Sequence, residues 1–224
     1  MMLTLTPTTV FMAIMIFIFL AGTAYFYYYY IRSDKANINR YNISLLTDET
    51  VFDEPYVNTI NIQPFISTRD TLYVPKLGYG LSFVWEMYIP SQGGNNIWQH
   101  NFNSLKPIIS MMDSPVISYH PKKNYLSIVL KYRNNTFYAQ FYELKIKNIK
   151  LQRWSKYILV IDNRTIKVYI DGVLMSTKIL PSVAVIYDIK SKIVLGQSNN
   201  NFLGKVKNLS LYPYPLTYDE ISLV

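Results

Sequence analysis

An uncharged apolar run over residues 10–31 constrains this chain more than any other feature of its sequence. At a helical rise of about 1.5 Å per residue it would span about 33 Å, enough to cross the roughly 30 Å hydrocarbon core of a bilayer. Tyrosines gather at its C-terminal end, where amphipathic rings favour the headgroup region. The sequence therefore predicts a transmembrane helix, with these anchor and interface residues: Val10, Phe17, Tyr25, Tyr27, Tyr28, Tyr29 and Tyr30.

A cleaved signal peptide is the alternative explanation of this run. Small residues at 21–24 offer a cleavage site. However, no Lys or Arg precedes the apolar run, so the basic region that opens a signal peptide is missing. The run also continues past residue 24 into the tyrosines. We therefore favour a helix that is retained.

The charges that flank the run predict its orientation. Residues 1–31 contain no Lys, Arg, Asp or Glu, whereas Arg32 and Lys35 follow directly. Because basic flanks tend to stay in the cytosol, the large C-terminal part is expected on the cytosolic side. The absence of cysteine from 224 residues agrees with a reducing compartment. We predict a single-pass membrane protein.

The predicted domain organisation is a short tail over 1–9, the helix over 10–31, a polar stalk over 32–58 and one domain over 59–224. A segment of the last length suits a single hydrophobic core. The formal net charge is +8. Such a balance suits an anionic membrane surface, an acidic protein, nucleic acid or simply a solvated surface.

Period-two alternation of apolar and other side chains dominates the C-terminal part. It is clear over residues 81–88, 137–142 and 166–170. Asp171 and Gly172 lie between two apolar runs, which indicates a hairpin with a type I′ turn. Short antiparallel strands with such turns predict an all-β sandwich or jelly roll.

Two further patterns predict local structure near the C-terminus. Val206 and Leu209 are three residues apart, which breaks the alternation and indicates a bulge in the last strand. Thr217 and Glu220 have the spacing of a capping box at the start of a short helix.

Aromatic residues, glycines and one aspartate occur at positions that match a known pattern. These residues are Phe83, Trp85, Trp154, Tyr169, Asp171, Gly172, Gly196 and Gly204. On them the chain resembles the concanavalin A-like lectin/glucanase superfamily, and in particular its laminin-G-like branch, over roughly residues 60–224. The resemblance implies an antiparallel two-sheet jelly-roll sandwich. We expect Phe83, Trp85 and Trp154 in the core between the sheets, and the glycines at bulges or close backbone approaches.

The carboxylate pattern argues against an enzyme. Glycosidases of this superfamily carry Glu-x-Asp-x-x-Glu on one strand, because glycoside hydrolysis requires two carboxylates at a defined separation. That pattern is missing here, where Glu86 stands alone. His100 and His120 do not have the spacing of a metal-binding pair. The sequence therefore predicts a protein without catalytic residues.

Calcium is the ion that the resemblance implies. The available loop carboxylates are Asp113, Asp171 and Asp188, and the hairpin turn already accounts for Asp171. We therefore expect no cofactor, with bound calcium as the alternative.

A basic strand face is the main surface feature. Leu144 and Ile146 alternate with Lys145 and Lys147, so the lysines share the outer face. Such a face is usually merely solvated; the alternative is an interaction patch for an acidic partner or anionic headgroups. The patch consists of Lys145, Lys147, Lys150 and Arg153, to which Lys122, Lys123 and Lys156 can add.

The apolar anchor, the lack of cysteine and the sandwich are together similar to membrane-anchored structural proteins of large DNA viruses. This resemblance implies a minor capsid or virion-membrane component that links the inner membrane to the capsid shell. The expected partners are then the lipid bilayer and capsid or other virion proteins, and not nucleic acid. The alternative is a membrane-displayed carbohydrate-binding module that binds glycan through loops near Trp98, His100, Asn101 and 199–201.

Overall fold

The computed structural model describes residue 12 and residues 15–25, 43–51, 58–61, 80–90, 103–133, 139–185, 192–197 and 202–224. The chain divides into two compact units, one within Met1–Arg40 and the other within Tyr41–Ser222. The first unit contains a helix over residues 15–25, here named α1. The second contains a β-sandwich.

Helix α1 is the described part of the predicted membrane helix. In the ranges given above, the structure holds no helix that has both the length and the apolar character needed to cross a membrane. Phe17 and Tyr25 lie in α1 and are exposed. The other predicted anchor residues are outside the described part of the chain: Val10, Tyr27, Tyr28, Tyr29, Tyr30, Arg32 and Lys35.

The second unit contains these described strands and one helix: β1 (Ile43–Leu46), β2 (Thr50–Val51), β3 (Asn58–Asn61), β4 (Gly80–Tyr88), β5 (Lys106–Met111), β6 (Val116–His120), β7 (Tyr125–Arg133), β8 (Ala139–Lys147), β9 (Trp154–Asp162), β10 (Thr165–Ile170), β11 (Val173–Ile179), β12 (Lys192–Leu195), β13 (Lys205–Tyr212) and α2 (Tyr218–Leu223).

The strands form two sheets, which confirms the predicted all-β sandwich. Sheet A has the order β1-β13-β4-β9-β10-β11, with β2 also paired to β13. Sheet B has the order β3-β12-β5-β6-β7-β8. Every strand pair is antiparallel. Strands β11 and β8 are edge strands of their respective sheets.

Alternate residues of the central strands fill the core between the sheets. On β4, Phe83 and Trp85 are fully buried, as expected. Trp85 pairs with Tyr157 of β9, and their rings stack with centroids 5.4 Å apart. Tyr119 of β6 meets Phe202 edge to face at 6.1 Å. Aromatic pairs of this kind add to the stabilisation that comes from burying their area.

Trp154 was predicted in the core, and this prediction is wrong. It pairs with Tyr88 across the β4–β9 ladder, one position out of phase with the buried pair of Trp85 and Tyr157. Because side chains alternate between the faces of a strand, Trp154 lies on the outer face of sheet A. It is partly buried there, with its ring 5.8 Å from that of Tyr88.

The segment predicted as a stalk, 32–58, contains part of the sandwich. Strands β1 and β2 lie within it, and both pair with β13. These strands are too short for an alternation to be recognised in the sequence. Their stability comes from pairing with a strand about 160 residues further along the chain. The sandwich therefore begins before the predicted boundary at residue 59.

The predicted hairpin turn is present at Asp171 and Gly172. Their φ angles are 51° and 78°, as a type I′ turn requires. The β13 register shifts between Lys207 and Ser210, which confirms the predicted bulge, and Asn208 adopts φ 52° within it. The structure also confirms the capping box that begins α2, since Thr217 and Glu220 bond reciprocally.

The remaining two glycines of the family pattern occupy tight backbone positions. Gly204 immediately precedes β13, where an added Cβ would lie 2.7 Å from the Tyr88 carbonyl oxygen. Gly196 follows β12 with φ 73°, and its N–H donates to the Ile108 carbonyl at 3.0 Å. A residue with a Cβ is strained in that backbone conformation.

Candidate functional site

One end of the sandwich brings together the predicted basic residues. The β6–β7 turn, the end of β8 and the β10–β11 turn all lie at this end, since β7 begins opposite the end of β8 and β9 begins opposite the end of β10. The connection over residues 148–153 joins the two sheets here. Because β4 also ends opposite the start of β9, Tyr88 and Trp154 belong to the same end.

Four exposed lysines form what we call the lysine cluster: Lys122, Lys123, Lys145 and Lys147. Lys145 and Lys147 alternate with buried Leu144 and Ile146, as predicted. The register pairs Lys147 with Tyr125, the first residue after the turn that carries Lys122 and Lys123. The ladder therefore places residues more than twenty positions apart in the sequence beside one another.

Asn124 fixes the turn of the cluster against the β8–β9 connection. Its Nδ2 donates to the Ile149 carbonyl at 2.9 Å, and the Asn148 N–H donates to the Asn124 carbonyl at 3.1 Å. The Tyr119 hydroxyl donates to Asn124 Oδ1 at 3.0 Å. Asn124 adopts φ 45°, which asparagine tolerates better than most residues. The two lysines of the turn thus project from a well-anchored hairpin.

Charge within the cluster is only partly compensated. Lys145 Nζ lies 2.9 Å from Glu143 Oε2 and 5.4 Å from the centre of the Tyr125 ring. Burial alone would raise the pKa of Glu143, but hydrogen bonds from Ser127 and Lys145 outweigh it and lower that pKa. Within the described part of the chain, Lys122, Lys123 and Lys147 form no ion pair.

His120 lies beneath the lysine cluster. It is 5 % exposed, its ring centre is 5.0 Å from that of Tyr125, and its Nδ1 accepts from the Lys123 N–H at 3.4 Å. Burial lowers the pKa of His120, and the positive charge of Lys123 lowers it further; a backbone hydrogen bond opposes them, and the charges of Lys122 and Lys145 add to the lowering. His120 is therefore neutral at pH 7 and adds no charge to the cluster.

The lowered pKa of His120 predicts a loss of stability at acid pH. Below the unfolded-state pKa of about 6.5, the unfolded chain binds a proton that the folded chain resists, so unfolding becomes easier as pH falls towards the folded-state pKa. We expect the melting temperature of the wild type to fall more between pH 7.5 and pH 5.5 than that of His120→Phe. This variant keeps a ring at position 120 but cannot titrate. Parallel losses in the two proteins would contradict this.

The other two residues of the predicted patch are placed differently. Arg153 Nη2 bonds Asp171 Oδ2 at 2.5 Å, so its charge is neutralised at the β10–β11 turn. Asp171 also accepts from the Lys156 N–H at 3.0 Å. Lys150 is exposed on the connection, and Lys156 lies on sheet A with its Nζ bonded to the Val224 carbonyl. The structure thus groups Lys145 and Lys147 with Lys122 and Lys123.

An aromatic surface lies on the outer face of sheet A at the same end. It consists of Tyr88 and Trp154, with Lys207 Nζ 4.3 Å from the centre of a Trp154 ring. The side chain of Asn208 donates to Glu86 Oε1 at 2.8 Å beside it. The sequence reasoning missed Tyr88 and Asn208 as surface groups. Their positions follow from the alternation on β4 and from the positive φ of Asn208.

The described carboxylates at this end are engaged by the protein itself: Glu86 with Asn208, Glu143 with Ser127 and Asp171 with Arg153. Asp113 bonds Lys131. In the described ranges, no three residues of the types that bind metals form a group. The residues Trp98, His100, Asn101, Asp188 and 199–201 lie outside the described part, so the predicted ligand loops stay predictions.

Comparison with known proteins agrees with the fold. A family model described as the concanavalin A-like lectin/glucanases superfamily matches residues 108–222, more than half of the chain. No curated protein matches the chain in sequence.

Solved binding domains of bacterial toxins share the architecture. The receptor binding domain of botulinum neurotoxin D aligns with a TM-score of 0.59 and 13% identity, covering 83% of this chain and 52% of that one. The serotype D ligand binding domain in complex with N-acetylneuraminic acid has a TM-score of 0.59 and 13% identity, covering 85% and 52%. The binding domain of Paraclostridial Mosquitocidal Protein 1 has a TM-score of 0.56 and 12% identity, covering 78% and 42%.

At such low identity these structures establish the fold alone, and this chain spans about half of their length or less. The family match, the two antiparallel sheets and the YIDG hairpin at residues 169–172 agree with one another. The chain belongs to the concanavalin A-like lectin/glucanases superfamily.

Proposed function

We propose that this chain is a non-enzymatic, membrane-anchored interaction protein, with residues 10–31 as its single span and the sandwich on the cytosolic side. The observation that carries the proposal is the apolar surface of α1. Phe17 and Phe19 are 73 % and 71 % exposed, and apolar side chains face outward on all sides of the helix. A helix that is apolar all round requires an apolar environment.

The hydrogen bonds of Thr23 within α1 also support an apolar environment for this helix. The Thr23 hydroxyl bonds the carbonyls of Phe19 and Leu20, each at 3.0 Å. This arrangement satisfies the hydroxyl within the helix, which hydrocarbon surroundings demand because they offer no other partner. The described 11 residues cover about 16 Å, roughly half of a bilayer core, and the predicted run over 10–31 would supply the rest.

A structural role in a virion is the finer form of this proposal. The sandwich would then link the inner membrane of a large DNA virus to its capsid shell as a minor capsid component. Strand β11 supports contact with other proteins, because Val173 and Ile179 are 61 % and 69 % exposed on an edge strand. Exposed apolar side chains on a sheet edge are typical of contact surfaces.

Glycan binding is the second candidate, and the aromatic surface favours it. Trp154 and Tyr88 present ring faces beside the polar groups of Glu86 and Asn208. Apolar faces bordered by a few polar groups are what a small polar ligand requires. One structure with the same fold holds N-acetylneuraminic acid. In this alternative the module would be displayed from the membrane and bind sugar.

The anchor can be tested by charge insertion into α1. We expect Ile18→Arg/Leu20→Arg to lower the membrane-bound fraction strongly in flotation after alkaline extraction, since one arginine at the centre of a span costs about 2.5–3.5 kcal/mol. The control Val173→Arg/Leu174→Arg also replaces two exposed apolar residues with arginine, here on β11, and should leave flotation unchanged. Equal flotation of both variants and the wild type would contradict the anchor.

Two measurements then distinguish the remaining alternatives. Proteolysis of sealed vesicles should digest the sandwich if it lies on the cytosolic side, and protection would reverse the orientation. A glycan array probed with the full chain in detergent should stay silent for a structural protein that instead co-purifies with a shell protein. A competable sugar signal that Trp154→Ala abolishes would favour the glycan-binding module.

A further inference from the structure

We propose that the lysine cluster holds the sandwich against the anionic phospholipid headgroups of the membrane that anchors the chain. The inference rests on the proposed anchor in residues 10–31. It adds a second, electrostatic contact with the same bilayer, made by residues that the fold brings together from the β6–β7 turn and β8.

The arrangement of the lysine charges supports contact with a flat anionic surface. Lys122 and Lys123 occupy the tip of a hairpin, and both are exposed. Lys147 lies beside them, and Lys145 shares its charge with Glu143. With three lysines unpaired in the described part of the chain, the tip can approach headgroups without first breaking an internal ion pair.

The structure beneath the lysine cluster supports contact with the headgroups rather than penetration into the acyl chains. His120 and Tyr125, the rings directly beneath the lysines, are buried, so among the described residues the lysine cluster itself offers no ring to insert among acyl chains. The hydrogen bonds that join Asn124 to Asn148 and Ile149 hold the hairpin in place, so few side chains need ordering when it meets the surface. The contact is therefore electrostatic and sensitive to salt.

Tethering makes a weak contact effective. With residues 10–31 as the span, the chain between the membrane and β1 comprises residues 32–42, which can extend to about 40 Å at most. A tether of this kind raises the local concentration of headgroups around the lysines. Each lysine near an anionic surface favours the bound state roughly fivefold.

Lysine labelling in vesicles tests the contact. The full chain is reconstituted into phosphatidylcholine vesicles or into phosphatidylcholine with phosphatidylglycerol, neither of which carries a primary amine. An amine-acylating reagent is added, and labelling is read at each lysine by mass spectrometry. We expect Lys122, Lys123 and Lys147 to react several-fold more slowly in the anionic vesicles, and Lys178 of β11 to react equally in both.

Salt and charge reversal provide the controls. About 1 M salt, where the screening length falls to about 3 Å, should restore labelling. Lys122→Glu/Lys123→Glu should abolish protection of Lys147. The matched variant Lys167→Glu/Lys178→Glu, on β10 and β11, changes the net charge by the same amount. It should leave the protection of Lys147 intact. Equal labelling in the two vesicle types would overturn the proposal, as would protection conferred only by an added acidic protein or sialylated glycan.

Flotation separates this proposal from the anchor. A chain that floats with neutral vesicles but shows no protection in anionic ones has an anchor and no lysine contact. A chain that floats only with anionic vesicles, and loses flotation on Lys122→Glu/Lys123→Glu, has the lysine contact and no anchor. The two proposals therefore fail independently.

Discussion

Trp85→Ala is expected to lower the free energy of unfolding by about 3–5 kcal/mol, the usual cost of truncating a fully buried large aromatic. Trp85 is 0 % exposed, and its ring stacks on Tyr157 between the sheets. The alanine would leave a cavity that the paired strands β4 and β9 cannot close. Chemical denaturation followed by circular dichroism would measure the change.

Two variants make this prediction specific. Trp154→Ala should cost only about 1–2 kcal/mol, because its ring is partly buried on the outer face. Trp85→Phe should also be mild. Trp85 Nε1 has no hydrogen-bond partner among the described residues, so phenylalanine removes a buried polar group whose desolvation costs about 1–3 kcal/mol. An equal cost for the two tryptophan-to-alanine changes would contradict the assignment of faces.

Gly204→Ala is expected to destabilise the sandwich by about 3 kcal/mol, the upper end of the range for overpacking. The new Cβ would lie 2.4 Å and 2.6 Å from two ring carbons of Phe202 and 2.7 Å from the Tyr88 carbonyl oxygen. Phe202 is fully buried against Tyr119, so its ring cannot move aside. Relief would require displacing the backbone of β4 or β13.

Gly172→Ala is the matched control for Gly204→Ala. Nothing lies within 4 Å of its added Cβ, but its φ is +78°, so only backbone strain opposes the change. We expect a cost of about 1 kcal/mol. Denaturation midpoints of the two variants should therefore differ clearly. A Gly204→Ala protein as stable as Gly172→Ala would mean that the strands adapt to the extra methyl group.

Local patterns in the sequence predicted the fold where the controlling interactions are local. The alternation over 81–88, the Asp171–Gly172 turn and the bulge in β13 each depend on neighbours a few residues away. Trp154 shows the limit of such reasoning. An aromatic residue at the start of a strand can face either way, and only the pairing of Trp154 with Tyr88 decides which face it takes.

The candidate site was less predictable because long-range pairing assembles it. The lysines of β8 were recognised as one face, but Arg153, close by in the sequence, is neutralised by Asp171. Lys122 and Lys123 were expected to add to the patch, but which of the additional lysines do so depends on the β7–β8 register, which the sequence does not specify. Strands β1 and β2 were assigned to a stalk for the same reason, since their partner is β13.

The central place of β13 in sheet A has a consequence for synthesis. β13 lies between β1 and β4, so these strands stay unjoined until the ribosome has delivered residues 205–212. A nascent chain would meanwhile present β1 and β4 with unpaired edges, a state prone to wrong pairing. Stop codons before residue 205 should therefore yield insoluble rather than merely weakened protein.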